Sequence, residues 1–289
     1  MAALPTDVIR LWPEGAPTTL EGVGAEVAYK GPPGLAVGTT MLRNVSDPTL
    51  TVFRPKAPNG VGVIVAPGGG WRILAWQHEG IDVCEWLAAR GYTAFLLKYR
   101  VGATPESPKE FEAQMAAMNG RLAAHIPGRT APRAMSDVIP AEAIRAPREA
   151  CADDGRQALA IVRARAKEFD IDPAKVGMMG FSAGGFLVAD VAMDPRAAPM
   201  AFVAPIYGGE TQGRDVPADA PPLFTVIAQD DRLLFRVVEG LYADWSSADR
   251  PAELHVFRRG THGFGMVQQG QPVDRWIELF GDWLKDLGL

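Results

Sequence analysis

Apolar residues along this chain form short continuous runs that alternate with longer segments of helical periodicity. Continuous apolar runs of strand length are typical of strands buried on both faces. They occupy residues 61–66, 93–99, 176–179, 201–207 and 222–228, and alternating segments of strand length occupy 49–54 and 253–257. Segments predicted as helices occupy 79–90, 149–169, 186–193, 234–247 and 274–287. This alternation predicts an α/β fold with a mostly parallel central sheet and helices on both faces.

The first part of the chain lacks this alternation. Residues 1–48 are rich in proline, glycine and threonine and show weak periodicity. They predict a looped lead-in with room for one strand. No linker or internal repeat interrupts the later segments, so residues 1–289 are expected to form a single domain.

Residues 102–148 also interrupt the alternation of strands and helices. They open with a strong helix start and are predicted to end in an irregular loop over 127–147. The predicted helix carries an apolar face that includes Phe111, Met115 and Met118. The segment is therefore a candidate lid or pocket wall, and a core helix followed by a surface loop is the open alternative.

The stretch Gly180-Phe181-Ser182-Ala183-Gly184-Gly185 lies between a predicted buried strand and a predicted apolar helix. Glycines permit a tight turn there, and the turn lifts the serine hydroxyl clear of the sheet. The helix after Ser182 directs its free N–H groups and positive dipole end toward the same point. This pattern is the nucleophile elbow of α/β-hydrolases, which makes Ser182 the candidate nucleophile; a surface serine in an ordinary turn is the alternative.

A second glycine-rich loop, Pro67-Gly68-Gly69-Gly70-Trp71, directly follows the predicted strand 61–66. Side chains do not shield its backbone N–H groups, so these can face an oxyanion that forms in a transition state. A flexible strand-to-helix turn is the alternative. Glu79, downstream, either touches this site or only complements the N-terminus of the following helix.

A serine nucleophile needs a base, and the base needs an orienting acid. His262 lies in a glycine-rich loop after the last predicted strand and is the candidate base among four histidines. Asp230 and Asp231 follow the predicted strand 222–228, so the acid and the base both lie at carboxyl ends of strands, where α/β sheets bind ligands. Asp231 has the usual spacing of the acid, three residues after Ala228, and Asp230 is the alternative.

Composition excludes several other kinds of protein. The 289 residues carry a net charge of −5 without a basic run, so neither nucleic acid nor an anionic membrane is an expected partner. No stretch of about 18 apolar residues predicts a membrane span. Cys84 and Cys151 are expected in the core, and the scattered histidines lack metal-binding spacing, so no metal is expected. No cofactor is expected either, because a serine, a base, an acid and an oxyanion hole would supply the chemistry. The N-terminus lacks a signal pattern, which predicts a cytoplasmic protein, or a periplasmic or secreted one if a signal has been removed.

These motifs together resemble the branch of α/β-hydrolase esterases that contains acetyl xylan esterase-like and bifunctional feruloyl/acetyl esterase-like proteins. The matching segments are Leu11-Trp12-Pro13, Pro67 to Trp71, His78-Glu79-Gly80, Lys98-Tyr99-Arg100, Gly180 to Gly185, Asp230-Asp231 and His262-Gly263-Phe264-Gly265. The resemblance implies Ser182 as nucleophile, His262 as base and Asp231 as acid. It also implies an oxyanion hole from the N–H groups of Ala183 and the Gly69–Gly70 region. Pro67 replaces the histidine of lipase-type loops, which leaves open which glycine donates.

The protein is therefore expected to be a serine carboxylesterase that cleaves short-acyl, acetyl-type esters through an acyl-enzyme, with carbohydrate esters among the candidate substrates. Trp71, Phe111, Met115 and Met118 are the candidate pocket residues. Two alternatives remain: a serine hydrolase of another acyl bond, such as a small amide, a thioester or a peptide, and a catalytically silent binding module of the same fold. The sequence carries no signal for an oligomeric state.

Overall fold

The computed structural model describes residues 7–31, 38–123 and 132–289, and for residues 118–123 it describes the backbone alone. The strands are β1 (Val8–Arg10), β2 (Val27–Lys30), β3 (Thr40–Arg43), β4 (Thr49–Phe53), β5 (Gly62–Ala66), β6 (Ile73–Leu74), β7 (Thr93–Lys98), β8 (Val176–Phe181), β9 (Val203–Ile206), β10 (Leu223–Ala228) and β11 (Ala252–Phe257). The helices are α1 (Asp82–Ala88), α2 (Pro108–Ala123), α3 (Ala141–Ala164), α4 (Ala183–Ala192), α5 (Phe235–Ser247) and α6 (Trp276–Asp286).

The described residues form a main sheet of eight strands in the order β1-β4-β7-β5-β8-β9-β10-β11. The six strands that follow one another in space as β7-β5-β8-β9-β10-β11 are all parallel. Strand β4 is antiparallel to β7, and β1 is antiparallel to β4. Strands β5 and β8 pair at the centre, where Val65 lies opposite Met179. The predicted α/β fold with a mostly parallel sheet is confirmed.

Both faces of the central strands of this sheet are buried, which explains the continuous apolar runs in the sequence. In β5, Ile64 points into one cluster of buried side chains, and its neighbours Val63 and Val65 point into another. The first cluster includes apolar residues of α3, α4 and α5, and the second includes those of α1 and α6. Helices therefore cover the sheet from both sides and fix the carboxyl ends of its strands in one row.

The prediction of a looped lead-in with room for one strand was wrong. Three strands, β1, β2 and β3, lie before residue 48. Strands β2, β3 and β6 form a separate antiparallel sheet, with Tyr29 opposite Met41 and Leu42 opposite Leu74. Each of these strands is short, so the alternation within β2 and β3 is too brief to stand out in the sequence.

The predicted loop over 127–147 and the predicted helix over 149–169 also need correction. Helix α3 begins at Ala141, contains Pro147 and ends at Ala164. A proline inside a helix removes one hydrogen bond and costs roughly 3 kcal/mol, which is why the sequence predicted a later start. Ile144 and Pro147 are both buried in the structure, so packing of this first part of the helix outweighs that cost.

The described part of the chain contains no helix long and apolar enough to cross a membrane. Cys84 and Cys151 are both buried and form no disulfide. Burial raises the pKa of both thiols well above their ordinary value, so they remain protonated in the core.

Candidate active site

Ser182 lies at the junction of β8 and α4 in a strained backbone conformation, with φ 48° and ψ −115°. The turn is so tight that a Cβ on Gly180 would lie 2.1 Å from the carbonyl oxygen of Gly184. A Cβ on Gly184 would lie equally close, at 2.1 Å, to the carbonyl oxygen of Ala66 in β5. Glycine is therefore required at both positions, and the turn presents the hydroxyl of Ser182 at the carboxyl edge of the sheet.

Ser182, His262 and Asp231 form one continuous chain of hydrogen bonds. The Oγ of Ser182 lies 2.9 Å from the Nε2 of His262, and the Nδ1 of that imidazole lies 2.7 Å from the Oδ2 of Asp231. The other carboxylate oxygen of Asp231 accepts the N–H groups of Leu233 and Leu234 at 2.9 and 3.0 Å. The aspartate is thus fixed by the backbone before α5 and can orient the imidazole.

Asp230, the alternative acid, has a different place. Its side chain is exposed and its Oδ1 accepts the backbone N–H of Thr261 at 2.8 Å. Asp231 is 1 % exposed. The structure therefore joins Asp231 to His262. Asp230 instead stabilises the loop that carries the histidine, through its hydrogen bond with Thr261.

Burial and pairing act in opposite directions on the two ionisable groups. Burial raises the pKa of Asp231, but the His262 imidazole and the N–H groups of Leu234 and Leu233 outweigh it, so the pKa lies below its ordinary value. Burial lowers the pKa of His262, but the carboxylates of Asp231 and, more weakly, Glu79 outweigh it, so the pKa lies above the ordinary value of 6.5. The pair favours an ionised aspartate and a readily protonated imidazole.

The glycine loop after β5 passes directly beside Ser182. A Cβ on Gly68 would lie 3.0 Å from the Cβ of Ser182 and 2.7 Å from the carbonyl oxygen of Phe181. Gly69 has φ 139°, and a Cβ there would lie 2.1 Å from the carbonyl oxygen of Ile73, so both positions exclude a side chain.

The structure narrows the choice of oxyanion donors. The N–H of Gly68 is already bound to the Oε2 of Glu79 at 2.7 Å. The N–H groups of Gly69 and Gly70 have no acceptor among the described residues. Ala183 is the first residue of α4, so its N–H has no acceptor within the helix. Two glycines and Ala183 thus offer free donors close to the serine.

Ser182 and His262 open into a cavity of about 900 Å³. Six other predicted site residues line the same cavity: Gly69, Gly70, Trp71, Phe111, Met115 and Ala183. Met118 lies in α2 where the backbone alone is described, so its predicted place in the pocket falls outside the described side chains. Helix α2 therefore contributes Phe111 and Met115 to a wall of the cavity.

The small sheet, which sequence reasoning missed, contributes to the same wall as α2. Tyr29 and Met41 of the β2–β3 pair and Ile73 of β6 line the cavity. The ring of Tyr29 packs edge-on against Phe111 at 5.1 Å, and the guanidinium of Arg43 lies 4.7 Å from the same ring. Burial raises the pKa of Tyr29 to about 12, with Arg43 opposing it, so the phenol remains neutral.

A second cleft of about 740 Å³ lies next to this cavity, and Met135 lines both. Arg148 lines this cleft and forms ion pairs with Asp190 and Glu210, each at 2.7 Å. Glu210 also accepts the N–H of Met135 at 2.8 Å. No residue of the Ser182 hydrogen-bond chain reaches this cleft, so the candidate chemistry belongs to the larger cavity.

Comparison with known proteins places the chain in a family. Residues 50–275 match the Dienelactone hydrolase family. The chain belongs to that family. As a dienelactone hydrolase family member it is a hydrolase, and the resemblance to α/β-hydrolases inferred from its motifs is confirmed.

Individual relatives have low sequence identity to this chain. It is 26 % identical over 281 residues to an acetylxylan esterase of Xylanibacter ruminicola, a match that covers 84 % of this chain and 50 % of the relative. The chain thus spans about half the length of that curated relative.

Solved structures show the same fold. An acetyl ester-xyloside bifunctional hydrolase from Caldicellulosiruptor lactoaceticus superposes with a TM-score of 0.63 at 22 % identity, covering 100 % of this chain and 99 % of that one. Esterase 2 of Thermogutta terrifontis, in a structure phosphorylated by paraoxon, superposes with a TM-score of 0.58 at 19 % identity, covering 92 % and 95 %.

Glu79 is a buried residue beside Ser182 and His262 whose role sequence reasoning left open. It lies in a π-helical turn, Gln77–Ile81, and is 3 % exposed. Its carboxylate binds the N–H of Gly68 and the hydroxyl of Tyr207, each at 2.7 Å. Glu79 therefore touches the loops of the site rather than only the start of α1.

Two segments that carried the sequence resemblance meet behind the glycine loop. The hydroxyl of Tyr99 donates to the carbonyl oxygen of Pro67 at 2.6 Å. The next residue, Arg100, pairs with the fully buried Asp154 at 2.8 Å, and the indole N–H of Trp12 donates to that carboxylate at 2.8 Å. The bonds of Asp154 hold the lead-in and α3 against the end of β7, and Tyr99 joins that strand end to the glycine loop after β5.

The residues that the structure describes contain no group of three or more histidine, cysteine, aspartate or glutamate side chains that could hold a metal ion. His78 is buried beside Glu79, with its Nε2 3.8 Å from Oε1, and its Nδ1 has no partner in the described chain. The groups that the hydrogen bonds bring together at the cavity are the hydroxyl of Ser182, the imidazole of His262 and the carboxylate of Asp231.

Proposed function

We propose that this protein is a serine carboxylesterase that hydrolyses short-acyl esters, of the acetyl type, through an acyl-enzyme. The observation that supports this most strongly is the unbroken hydrogen-bond chain from Ser182 through His262 to Asp231 at the wall of a cavity. Free N–H groups on two sides of the serine supply what acyl transfer needs in addition, an oxyanion hole. A catalytically silent binding module has no need for this geometry.

In the first half of the reaction, the Oγ of Ser182 attacks the ester carbonyl carbon while the Nε2 of His262 takes the hydroxyl proton. The carbonyl oxygen becomes an oxyanion, and the N–H groups of Ala183, Gly69 and Gly70 donate hydrogen bonds to it. Collapse of the tetrahedral intermediate breaks the bond to the alcohol oxygen. The alcohol leaves with the proton from the imidazolium, and the acyl group remains on the serine.

In the second half, water replaces the alcohol. His262 removes a proton from the water, which attacks the acyl carbon, and the oxyanion hole is used again. The bond to Oγ breaks, the serine regains its proton from His262, and the carboxylic acid leaves. Asp231 remains ionised throughout and holds the imidazole in the tautomer that presents Nε2 to the serine.

The acyl preference is proposed from the relative and from the cavity. The Xylanibacter relative is an acetylxylan esterase, which makes acetyl groups on carbohydrate the first substrates to test. The cavity of about 900 Å³ exceeds what an acetyl group fills, so it has room for a sugar-sized alcohol portion as well. Trp71, Phe111 and Met115 form apolar surface beside the serine.

The test is a comparison of kcat/KM across chromogenic esters of increasing acyl length, with acetylated xylo-oligosaccharides assayed by acetate release. We expect the highest kcat/KM for acetyl or other short chains and no activity in Ser182→Ala. An amide matched to the best ester should be cleaved far more slowly. Preference for the amide, or for long acyl chains, would contradict the proposal.

A further inference from the structure

Glu79 is a buried carboxylate at the centre of the site with no arginine or lysine partner among the described residues. Its one ion-pair contact in the described chain is with the neighbouring His78, at 3.8 Å. Burying a carboxylate is costly unless hydrogen bonds compensate, and Glu79 receives two, from Gly68 and Tyr207. A buried carboxylate held by two hydrogen bonds next to the proposed catalytic groups calls for a reason.

The carboxylate connects three loops that are far apart in sequence. Gly68 belongs to the glycine loop after β5, and Tyr207 directly follows β9. The hydroxyl of Tyr207 in turn accepts the N–H of Gly265, in the loop that carries His262, at 3.0 Å. One chain of hydrogen bonds therefore runs from the glycine loop through Glu79 and Tyr207 to the loop that carries His262.

Packing places Glu79 close to the histidine itself. A Cβ on Gly263, the residue after His262, would lie 3.9 Å from the Oε1 of Glu79. The ring of Tyr207 lies edge-on to the imidazole at 5.3 Å. Among the described residues, the other ionisable groups in contact with this histidine are Asp231 at its Nδ1 and Tyr207 at its ring.

We propose that Glu79 is a positioning residue that fixes the glycine loop after β5 and the loop carrying His262 relative to each other. It also stabilises the imidazolium that forms on His262. The inference rests on the proposed function, since it assigns Glu79 a part in the same acyl transfer. By binding the N–H of Gly68, the carboxylate sets the peptide orientation from which the N–H groups of Gly69 and Gly70 project. By binding Tyr207, whose hydroxyl accepts the N–H of Gly265, it also stabilises the position of the loop that carries His262.

The charge of Glu79 has a consequence that a purely structural residue would not have. Its carboxylate adds to that of Asp231 in raising the pKa of His262 against the effect of burial. Tyr207 cannot replace it as an anion, because burial and the adjacent Glu79 raise the pKa of the phenol well above its ordinary value. Removing the charge of Glu79 should therefore lower the pH at which His262 becomes an active base.

The experiment compares wild type with Glu79→Gln, Tyr207→Phe and the control Glu85→Gln. Glutamine keeps the size of Glu79 and an acceptor oxygen but removes the charge, while phenylalanine keeps the ring of Tyr207 and removes the bridging hydroxyl. Glu85 is an exposed carboxylate on α1 outside the cavity lining. Measured quantities are kcat, KM and the pH midpoint of kcat/KM on an acetyl ester, the pH dependence of fluorophosphonate labelling, and the melting temperature.

For Glu79→Gln we expect kcat to fall about 10²-fold, the loss typical of a small misplacement of reacting groups, with KM changed much less. The pH midpoints of turnover and of labelling should both move down. Tyr207→Phe should lower kcat by a smaller factor and leave the pH midpoints nearer to those of wild type, and Glu85→Gln should match wild type.

An unchanged kcat and unchanged midpoint in Glu79→Gln would overturn the inference. So would a fall in melting temperature with wild-type kcat per labelled site and a wild-type midpoint, because that pattern describes a structural role alone. If Glu79→Gln does not fold, Tyr207→Phe decides by its kcat per labelled site: a reduced value supports the inference and a wild-type value overturns it. Failure of wild type to cleave the ester or to be labelled would instead contradict the proposed function.

Discussion

One wall of the cavity, at the carboxyl edge of the main sheet, is held by hydrogen bonds, whereas the facing wall, from the small sheet and α2, is held by apolar packing. On the first wall each side chain of the Ser182–His262–Asp231 chain contacts the next within 3 Å, with separations of 2.9 and 2.7 Å. On the second, Phe111 packs on Tyr29 with ring centres 5.1 Å apart.

This difference teaches where chemistry and selectivity reside. Hydrogen bonds have strict distances and angles, so a change on the first wall disrupts the reacting geometry itself. Apolar contacts tolerate repacking, and a flexible side chain such as Met115 adapts most readily. We therefore expect changes on the first wall to alter kcat and changes on the second to alter which ester is preferred.

The largest effect is expected from removing the nucleophile. Ser182→Ala should fold normally and lower kcat by roughly 10⁴- to 10⁶-fold, because the members of such a triad act as a unit. His262→Ala should cost about as much for the same reason. Steady-state kinetics on an acetyl ester, with circular dichroism as the folding control, measures both; substantial turnover by folded Ser182→Ala would break the assignment of the first wall.

The two adjacent aspartates provide the next test. Asp231→Asn should lower kcat by about 10⁴-fold, because an amide cannot hold the imidazole in the same tautomer. Asp230→Asn is the matched control and should be mild, since that side chain only caps the loop through Thr261. The reverse ranking in kcat would transfer the role of acid to Asp230.

The pH dependence of activity sharpens the account of the first wall. The proposed reaction needs neutral His262, and the pKa of this histidine lies above 6.5 because of Asp231 and Glu79, so kcat/KM should rise with pH through a midpoint above that value. Asp231→Asn removes the stronger of these two influences, so any residual activity should show a lower midpoint. A wild-type midpoint below 6.5, or a higher one in the variant, would disagree with this geometry.

The smallest effect is expected on the packed wall. Met115→Ala should change the ratio of kcat/KM between short and medium acyl chains by about 10-fold, since one methylene in a pocket is worth roughly 1–3 kcal/mol. Met200 is a partly buried methionine that packs on the core outside the cavity, so Met200→Ala is the matched control for lost packing. A lower melting temperature with an unchanged acyl preference in Met115→Ala would make α2 a core helix only.

The sequence predicted the main sheet and the first wall because their signals are local. A run of buried apolar residues marks each central strand, and the elbow around Ser182 needs glycines at fixed spacing. Asp231 could be preferred over Asp230 because the acid of this superfamily usually lies three residues after the strand end. The joint presence of these motifs was enough to predict the α/β-hydrolase fold that the family match confirms.

The second wall and the hydrogen bond between Glu79 and Tyr207 could not be predicted in the same way. Strands β2 and β3 have four residues each, too few for a clear period. Glu79 and Tyr207 are 128 positions apart, and nothing near Tyr207 in sequence marks it as a partner for a carboxylate. The start of α3 was missed because Pro147 is a local signal against a helix, and only the burial of its surroundings overrides that signal.

The measurement that tests the central claim most directly is mass spectrometry of the wild-type protein after treatment with an organophosphonate ester, followed by peptide mapping. The account predicts one covalent adduct per chain, located on Ser182, and loss of ester hydrolysis in proportion to the fraction labelled. An adduct on another residue, or full activity in a protein that is fully labelled at Ser182, would contradict the claim that this serine is the nucleophile.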